Sequence, residues 1–128
     1  MMMMISVVAA LFEANGKILL FQRPPHKARG LQWEFPGGKI EPGETAEAAL
    51  IRECQEELDI CVSVLGECAR IKHDYPDISI DLILLSCRID SGSPRLQEHI
   101  AMATVTLEEA AKLNLAPADR KLLSMISS

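Results

Sequence analysis

At 128 residues the chain has room for one domain with a real hydrophobic core, and its 48% hydrophobic content excludes an intrinsically disordered polymer. A net charge of −5 excludes a dedicated nucleic-acid surface, because duplex binding draws on clustered Lys and Arg, yet it leaves room for a small anion bridged by metal. Cys54, Cys61, Cys68 and Cys87 show no CxxC spacing and read as small buried hydrophobes in a reducing compartment, not as a zinc or disulfide framework.

The opening run MMMMISVVAALF lacks a basic n-region and is broken by Glu13 and Asn15. It therefore reads neither as a signal peptide nor as a membrane span, which points to the cytoplasm and to no membrane partner. Asn15-Gly16 between Ile5 to Phe12 and Lys17 to Phe21 predicts a hairpin with a type I′ turn. Pro24-Pro25 ends the second strand and leaves Arg23 at its tip. After a loop through His26, Lys27, Ala28, Arg29 and Gly30, the alternation in Leu31 to Phe35 predicts a short strand. Its aromatics, Trp33 and Phe35, suit either a base-stacking surface or the core.

Next comes GGKIEPGETAEAALIRECQEELDI, Gly37 to Ile60. Thr45 is a natural N-cap, and Ala46, Ala49, Leu50, Cys54 and Leu58 fall at the spacing of a helix lying on a core. The opposite arc carries Arg52, Glu53, Glu56 and Glu57. Like charges three and four residues apart cost roughly 0.2–0.5 kcal/mol per pair, and acids near a helix C-terminus also oppose the macrodipole. One arginine cannot balance three acids, so the face calls for a further cation. Oxygen donors without His or Cys suit Mg²⁺, or alternatively Mn²⁺, better than Zn²⁺.

Beyond this helix, Val62 to Val64 and Cys68 to Lys72 read as two strands, Tyr75-Pro76-Asp77 as a turn, and Ile78 to Leu85 as the clearest strand of the second half. A polar loop, Asp90 to Leu96, leads to Gln97-Glu98-His99 and a strand over Ile100 to Val105. Thr106 opens a short helix and Ala116-Pro117 the last one, with Asp119 in its first turn.

Gly38, Glu44 and the run Arg52-Glu53-Cys54-Gln55-Glu56-Glu57-Leu58-Asp59-Ile60 together resemble the Nudix box, Gly-x5-Glu-x7-Arg-Glu-U-x-Glu-Glu-x-Gly-U with U apolar. Every fixed position matches except the second glycine, where this chain has Asp59. That glycine ends the helix in a left-handed conformation, which Asp tolerates better than most residues.

The resemblance implies an α/β (α+β class) fold, a single-domain α/β/α sandwich around a mixed sheet. It also implies a metal-dependent hydrolase with Glu53, Glu56, Glu57, Glu98 and the Gly37 carbonyl as metal ligands. Arg52 would orient the carboxylates, and Glu44 would support the loop-helix junction or a metal-bound water. Glu98 is the favoured general base, with Glu53 its competitor. Similarity to the MutT type and to bacterial CTP pyrophosphohydrolases extends over nearly the whole chain. It suggests Arg23 and Lys39 as phosphate contacts, with Phe35, Tyr75, Ile78 and Asp119 around the base. An ionised Asp119 only accepts hydrogen bonds, which would favour the amino group of cytosine or the N1 and N2 donors of guanine.

Three activities stay open from sequence: pyrophosphohydrolysis of a nucleoside triphosphate, hydrolysis of another diphosphate linkage such as ADP-ribose or a dinucleoside polyphosphate, and nucleotide binding without catalysis. Each makes a small nucleotide the partner, and the chain would act as a monomer or homodimer.

Overall fold

The structure, a computed structural model, describes residues 3–127. Two of the four N-terminal methionines, Met1 and Met2, lie outside that range.

The fold is built on two strands that start as a hairpin and then separate. β1 (Met4–Ala14) and β2 (Lys17–Gln22) pair only at Glu13↔Ile18 and Ala14↔Lys17. Asn15 and Gly16 turn the chain with φ of 55° and 75°, the positive pair that the Asn-Gly signal predicts. Away from the turn the two strands diverge, and the segment from β3 (Trp33–Glu34) to β4 (Gly37–Lys39) fills the opening. β3 pairs with β2, β4 pairs with β1, and the Ala10 N–H donates to Pro36 O between them. The expected five-residue strand over Leu31 to Phe35 is thus reduced to two residues, because Leu31 has φ of 65° and Pro36 offers no donor.

The other edge of β1 runs parallel to β6 (Ser79–Ser91), and β6 runs antiparallel to β5 (Cys61–Asp74). β7 (Ala101–Thr106) lies antiparallel to β2. One parallel pairing among antiparallel ones makes the sheet mixed. The expected separate strands Val62 to Val64 and Cys68 to Lys72 are a single strand, β5. Its register shifts between Val64 and Gly66 and between Glu67 and Ala69 are bulges that break the alternation without breaking the pairing.

Helices cover both faces. α1 (Ala46–Leu58) buries Ala49, Leu50, Cys54 and Leu58 against Val8, Ala10 and Phe12 of β1 and Ile83, Leu85 and Cys87 of β6. α2 (Leu107–Ala111) and α3 (Pro117–Ile126) cover the opposite face, where Ala118, Leu122 and Leu123 meet Ala9, Leu11, Leu82 and Leu84. Successive residues of β1 and β6 point to opposite faces, so apolar runs without alternation mark strands buried on both sides. The result is the expected α/β/α sandwich. Among the described residues no helix is long and apolar enough to cross a membrane.

Candidate active site

Where β1 and β2 part, a cavity of about 340 Å³ passes between the two helical layers. On the α1 side it is lined by Glu53, Glu57 and Glu98, and on the α3 side by Phe35, Tyr75, Ile78 and Asp119. Arg23, Gly37 and Lys39 complete its wall. Ten of the residues expected at the site therefore converge on one space, although they span the chain from Arg23 to Asp119.

α1 is set by its ends. The Thr45 hydroxyl accepts from the Ala48 N–H at 3.1 Å, and Asp59 stops the helix in the left-handed region with φ of 56°, as its place in the box predicts. Along the outer face Arg52 gathers the acids. Its Nε and Nη2 donate to both oxygens of Glu44 at 2.8 and 2.9 Å, and its Nη1 reaches Glu53 at 3.0 Å and Glu56 at 3.2 Å. This clasp holds the Glu44 carboxyl down to about 2, with the Glu41 N–H adding to the effect. It also raises Arg52 further above its ordinary value. Arg52 Nη2 donates to Lys39 O as well, tying the helix to β4.

Glu53 and Glu57 behave differently. Burial pushes the Glu53 carboxyl up against the pull of Arg52. Burial also pushes Glu57 up, with repulsion from Glu98 and Glu53 next. Glu57 makes no salt bridge among the described residues. Glu98 is shifted down by its ion pair with Lys27.

β4 completes this side. Ala10 N–H to Pro36 O and Ile40 N–H to Ser6 O fix which residues face β1, and the alternation turns the carbonyls of Gly37 and Lys39 away from it. Lys39 O meets Arg52 there, and Gly37 O is turned the same way.

The five-membered ligand set expected from sequence is not preassembled. Among the described residues no three acidic, His or Cys side chains converge closely enough to hold an ion. Glu56 in particular does not line the cavity: its side chain is 58% exposed and drawn outward to Arg52 one turn earlier. Glu53, Glu57, Glu98 and the Gly37 carbonyl nevertheless form an all-oxygen set. Burial raises Glu53 despite its Arg52 partner, and burial with repulsion from Glu98 and Glu53 raises Glu57, which fits a hard divalent cation at these oxygens.

On the α3 side the structure adds a partner to Tyr75 and a burial effect to Asp119. The Tyr75 hydroxyl accepts from the Ala118 N–H at 2.9 Å, capping a helix whose N-cap, Ala116, has no side-chain acceptor. The hydroxyl is thus occupied, and the ring is what Tyr75 offers to the cavity. The burial effect is at Asp119, which is 6% exposed. Its Oδ2 accepts from the Phe35 N–H at 2.9 Å, but burial, with Glu34 next, pushes the carboxyl well above the usual range. The shift moves Asp119 toward the neutral acid, a form that donates as well as accepts.

Glu34 joins the site without having been expected there. Its carboxylate accepts from Arg23 Nη1 at 3.0 Å and meets His99 Nε2 at 2.9 Å, holding both against the cavity. The period-2 alternation of Trp33-Glu34-Phe35 could have exposed it, since it separates Glu34 from its aromatic neighbours. Arg29, reading as an ordinary loop residue, lies 4.1 Å over the Tyr75 ring and pairs with Asp77 at 3.0 Å. His99 is packed against Phe21, with ring centroids 5.3 Å apart.

Residues 7–125 match the NUDIX domain family. The chain is 42% identical over 122 residues to the CTP pyrophosphohydrolase of Escherichia coli (strain K12), covering 95% of this chain and 90% of that protein. It is 43% identical over 70 residues to the 8-oxo-dGTP diphosphatase of Proteus vulgaris, covering 55% of this chain and 62% of that protein. The solution structure of the E. coli ORF135 protein superposes with a TM-score of 0.85 at 40% identity, covering 98% of this chain and 90% of that one. A family match that includes both the acidic helix and the Asp119 wall, with a relative aligned along nearly all of both chains, places the two sides of the cavity in one inherited unit: this chain belongs to the NUDIX domain family.

Proposed function

We propose that the chain hydrolyses a nucleoside triphosphate to the monophosphate and pyrophosphate with the help of Mg²⁺ or Mn²⁺, and that its base is cytosine. The observation that carries this reading is the two-sided cavity, with carboxylates on the α1 side and an aromatic wall ending in Asp119 on the α3 side. A nucleotide spans those two sides, its phosphates toward the acids and its base toward Phe35, Tyr75 and Ile78.

Glu53, Glu57, Glu98 and the Gly37 carbonyl would hold the divalent ion, with Glu56 joining only after leaving Arg52. When bound, such an ion neutralises phosphate charge and makes a coordinated water more acidic. Arg52 fixes Glu53 and Glu44 through the contacts described above. Glu98 takes the proton of the attacking water at a carboxylate oxygen, with Glu53 the competing base. Arg23 and Lys39 face the phosphates, and Glu34 aims Arg23. A neutral Asp119 presents a donor and an acceptor, which complements the N3 and N4 edge of cytosine. The full-length similarity to a CTP pyrophosphohydrolase supports cytosine, while the similarity to an 8-oxo-dGTP diphosphatase keeps oxidised guanine as the second reading.

The test is kcat/KM with Mg²⁺ for CTP, dCTP, 5-methyl-dCTP, 8-oxo-dGTP, dGTP and ADP-ribose, with products identified by chromatography. Cytosine nucleotides should lead and should release pyrophosphate. A preference for 8-oxo-dGTP moves the reading to oxidised guanine, and a preference for ADP-ribose overturns it. Binding without turnover would make the protein a nucleotide-binding module. Glu53→Gln should lower kcat by at least ~100-fold, the size expected for a lost electrostatic or acid-base group.

A further inference from the structure

The loop joining β2 to β3 carries three cations, each paired with an acid from a different part of the chain: Arg23 with Glu34, Lys27 with Glu98 and Arg29 with Asp77. The two arginines are braced elsewhere, Arg23 Nε by the Ala28 carbonyl at 2.8 Å and Arg29 by the face of Tyr75. Lys27 is different. Its ammonium rests on Glu98, and Glu57 lines the same cavity, where Lys27 offsets a small part of its upward shift. It therefore sits on one of the oxygen donors assigned above to a divalent ion and in the same cavity as another.

The pair is also built to be exchanged. The side chains of Lys27 and Glu98 are 39% and 40% exposed, and an ion pair this open to water is held weakly. The loop beneath it is set: Arg29 and Leu31 hold φ of 57° and 65°, and a Cβ at Gly30 would lie 2.6 Å from Pro25 O. Lys27 can leave Glu98 by swinging its flexible stem, without moving the loop.

We propose that Lys27 is an internal counter-ion for Glu98 and Glu57, competing with the divalent ion for these carboxylates and passing to a phosphate oxygen when ion and nucleotide bind. The transfer half of the proposal rests on the function proposed above, whereas the competition half does not. The exchange balances in charge: a divalent ion replaces the ammonium at the carboxylates, and the ammonium meets a triphosphate that arrives carrying excess negative charge. Lys27 is thus a positioning residue that keeps the acidic side of the cavity neutralised between turnovers.

Two measurements on the full chain separate the halves. Mn²⁺ is titrated into nucleotide-free protein, with free Mn²⁺ read by electron paramagnetic resonance, and KM is measured for the best triphosphate of the substrate panel. Lys27→Met should bind Mn²⁺ roughly tenfold more tightly than wild type, since a charge a few ångströms away has been removed, while its KM rises by a similar factor. Lys27→Arg, which keeps the charge, should retain an Mn²⁺ affinity near that of wild type. If Lys27→Met does not fold, Lys27→Gln gives the same readings. Unchanged or weaker Mn²⁺ binding in the neutral variants overturns the counter-ion role, and tighter Mn²⁺ binding with unchanged KM overturns the transfer to phosphate. A wild-type protein that turns over no triphosphate defeats the proposed function, while the Mn²⁺ titration still decides whether Lys27 competes for the acids.

Discussion

A methyl group added at Gly38 would lie 2.3 Å from the carboxyl carbon of Glu53, whereas one added at Gly37 would lie 1.9 Å from the Val8 carbonyl oxygen. The first obstacle is a side chain and the second is backbone, so the two substitutions should fail differently. Gly37→Ala forces β4 off β1 and should destabilise the fold by ~1–3 kcal/mol or more, as overpacking does, read as a shifted urea midpoint. Gly38→Ala should displace Glu53 instead, lowering kcat/KM by at least ~10-fold with a smaller stability loss, because slight misplacement of a reacting group is costly. Asp119 makes a second prediction. In the unfolded chain its carboxyl ionises near pH ~3.9. In the folded protein burial raises that value, so above about pH 4 the unfolded state releases a proton that the folded state keeps, and stability falls as pH rises. Asp119→Asn removes this dependence while retaining an oxygen for the Phe35 N–H. Urea titrations should show its stability rising relative to wild type from pH 4 to pH 7; a constant difference would mean that Asp119 is ionised in the fold.

The helix that carries the acids shows how much of one element can be read locally. Its Thr45 cap, its apolar stripe and its stop at Asp59 all follow from neighbours in sequence. A left-handed Asp carries a steric cost that glycine escapes, so Asp59→Gly should raise stability by ~0.5–1 kcal/mol, measured from the urea midpoint, with activity unchanged. The Asp59 carboxylate holds weak partners that offset little of this gain: Gln55 Nε2 at 3.3 Å and a largely exposed Arg95 at 3.9 Å. α3 is less legible. Its first turn lacks a side-chain cap of its own and borrows the hydroxyl of Tyr75, which is distant in sequence. That partnership is invisible to periodicity, which is why Tyr75 reads from sequence as a base contact alone.

The molecule places its acids and its aromatic wall on opposite faces of one sheet and joins them through the cavity where β1 and β2 separate. With a surplus of negative charge there, a divalent ion that binds only the folded state should stabilise the whole protein. At a hundredfold excess over Kd the gain is ~2.7 kcal/mol, seen as a rise in Tm. Glu57→Gln should increase the metal-free Tm at neutral pH, because it removes a repelled, half-buried charge, and should shrink the rise caused by Mg²⁺. A wild-type Tm indifferent to Mg²⁺ would count against the assigned oxygen set.

What the sequence determined by itself is whatever depends on near neighbours: the Asn15-Gly16 turn, the doubly buried strands, the box helix with both its ends, and the Thr106 capping box that starts α2. Those features arise from backbone conformations and side-chain periods that a few adjacent residues set. Tertiary structure alone decided which acids face the cavity. Arg52 draws Glu56 outward, while Glu53 and Glu57 turn inward and Lys27 crosses from another loop to Glu98. It also decided that burial raises the Asp119 carboxyl and that Glu34 links Arg23 to His99. Burial and long-range charge pairing are properties of the assembled surface, and no spacing along the chain encodes them.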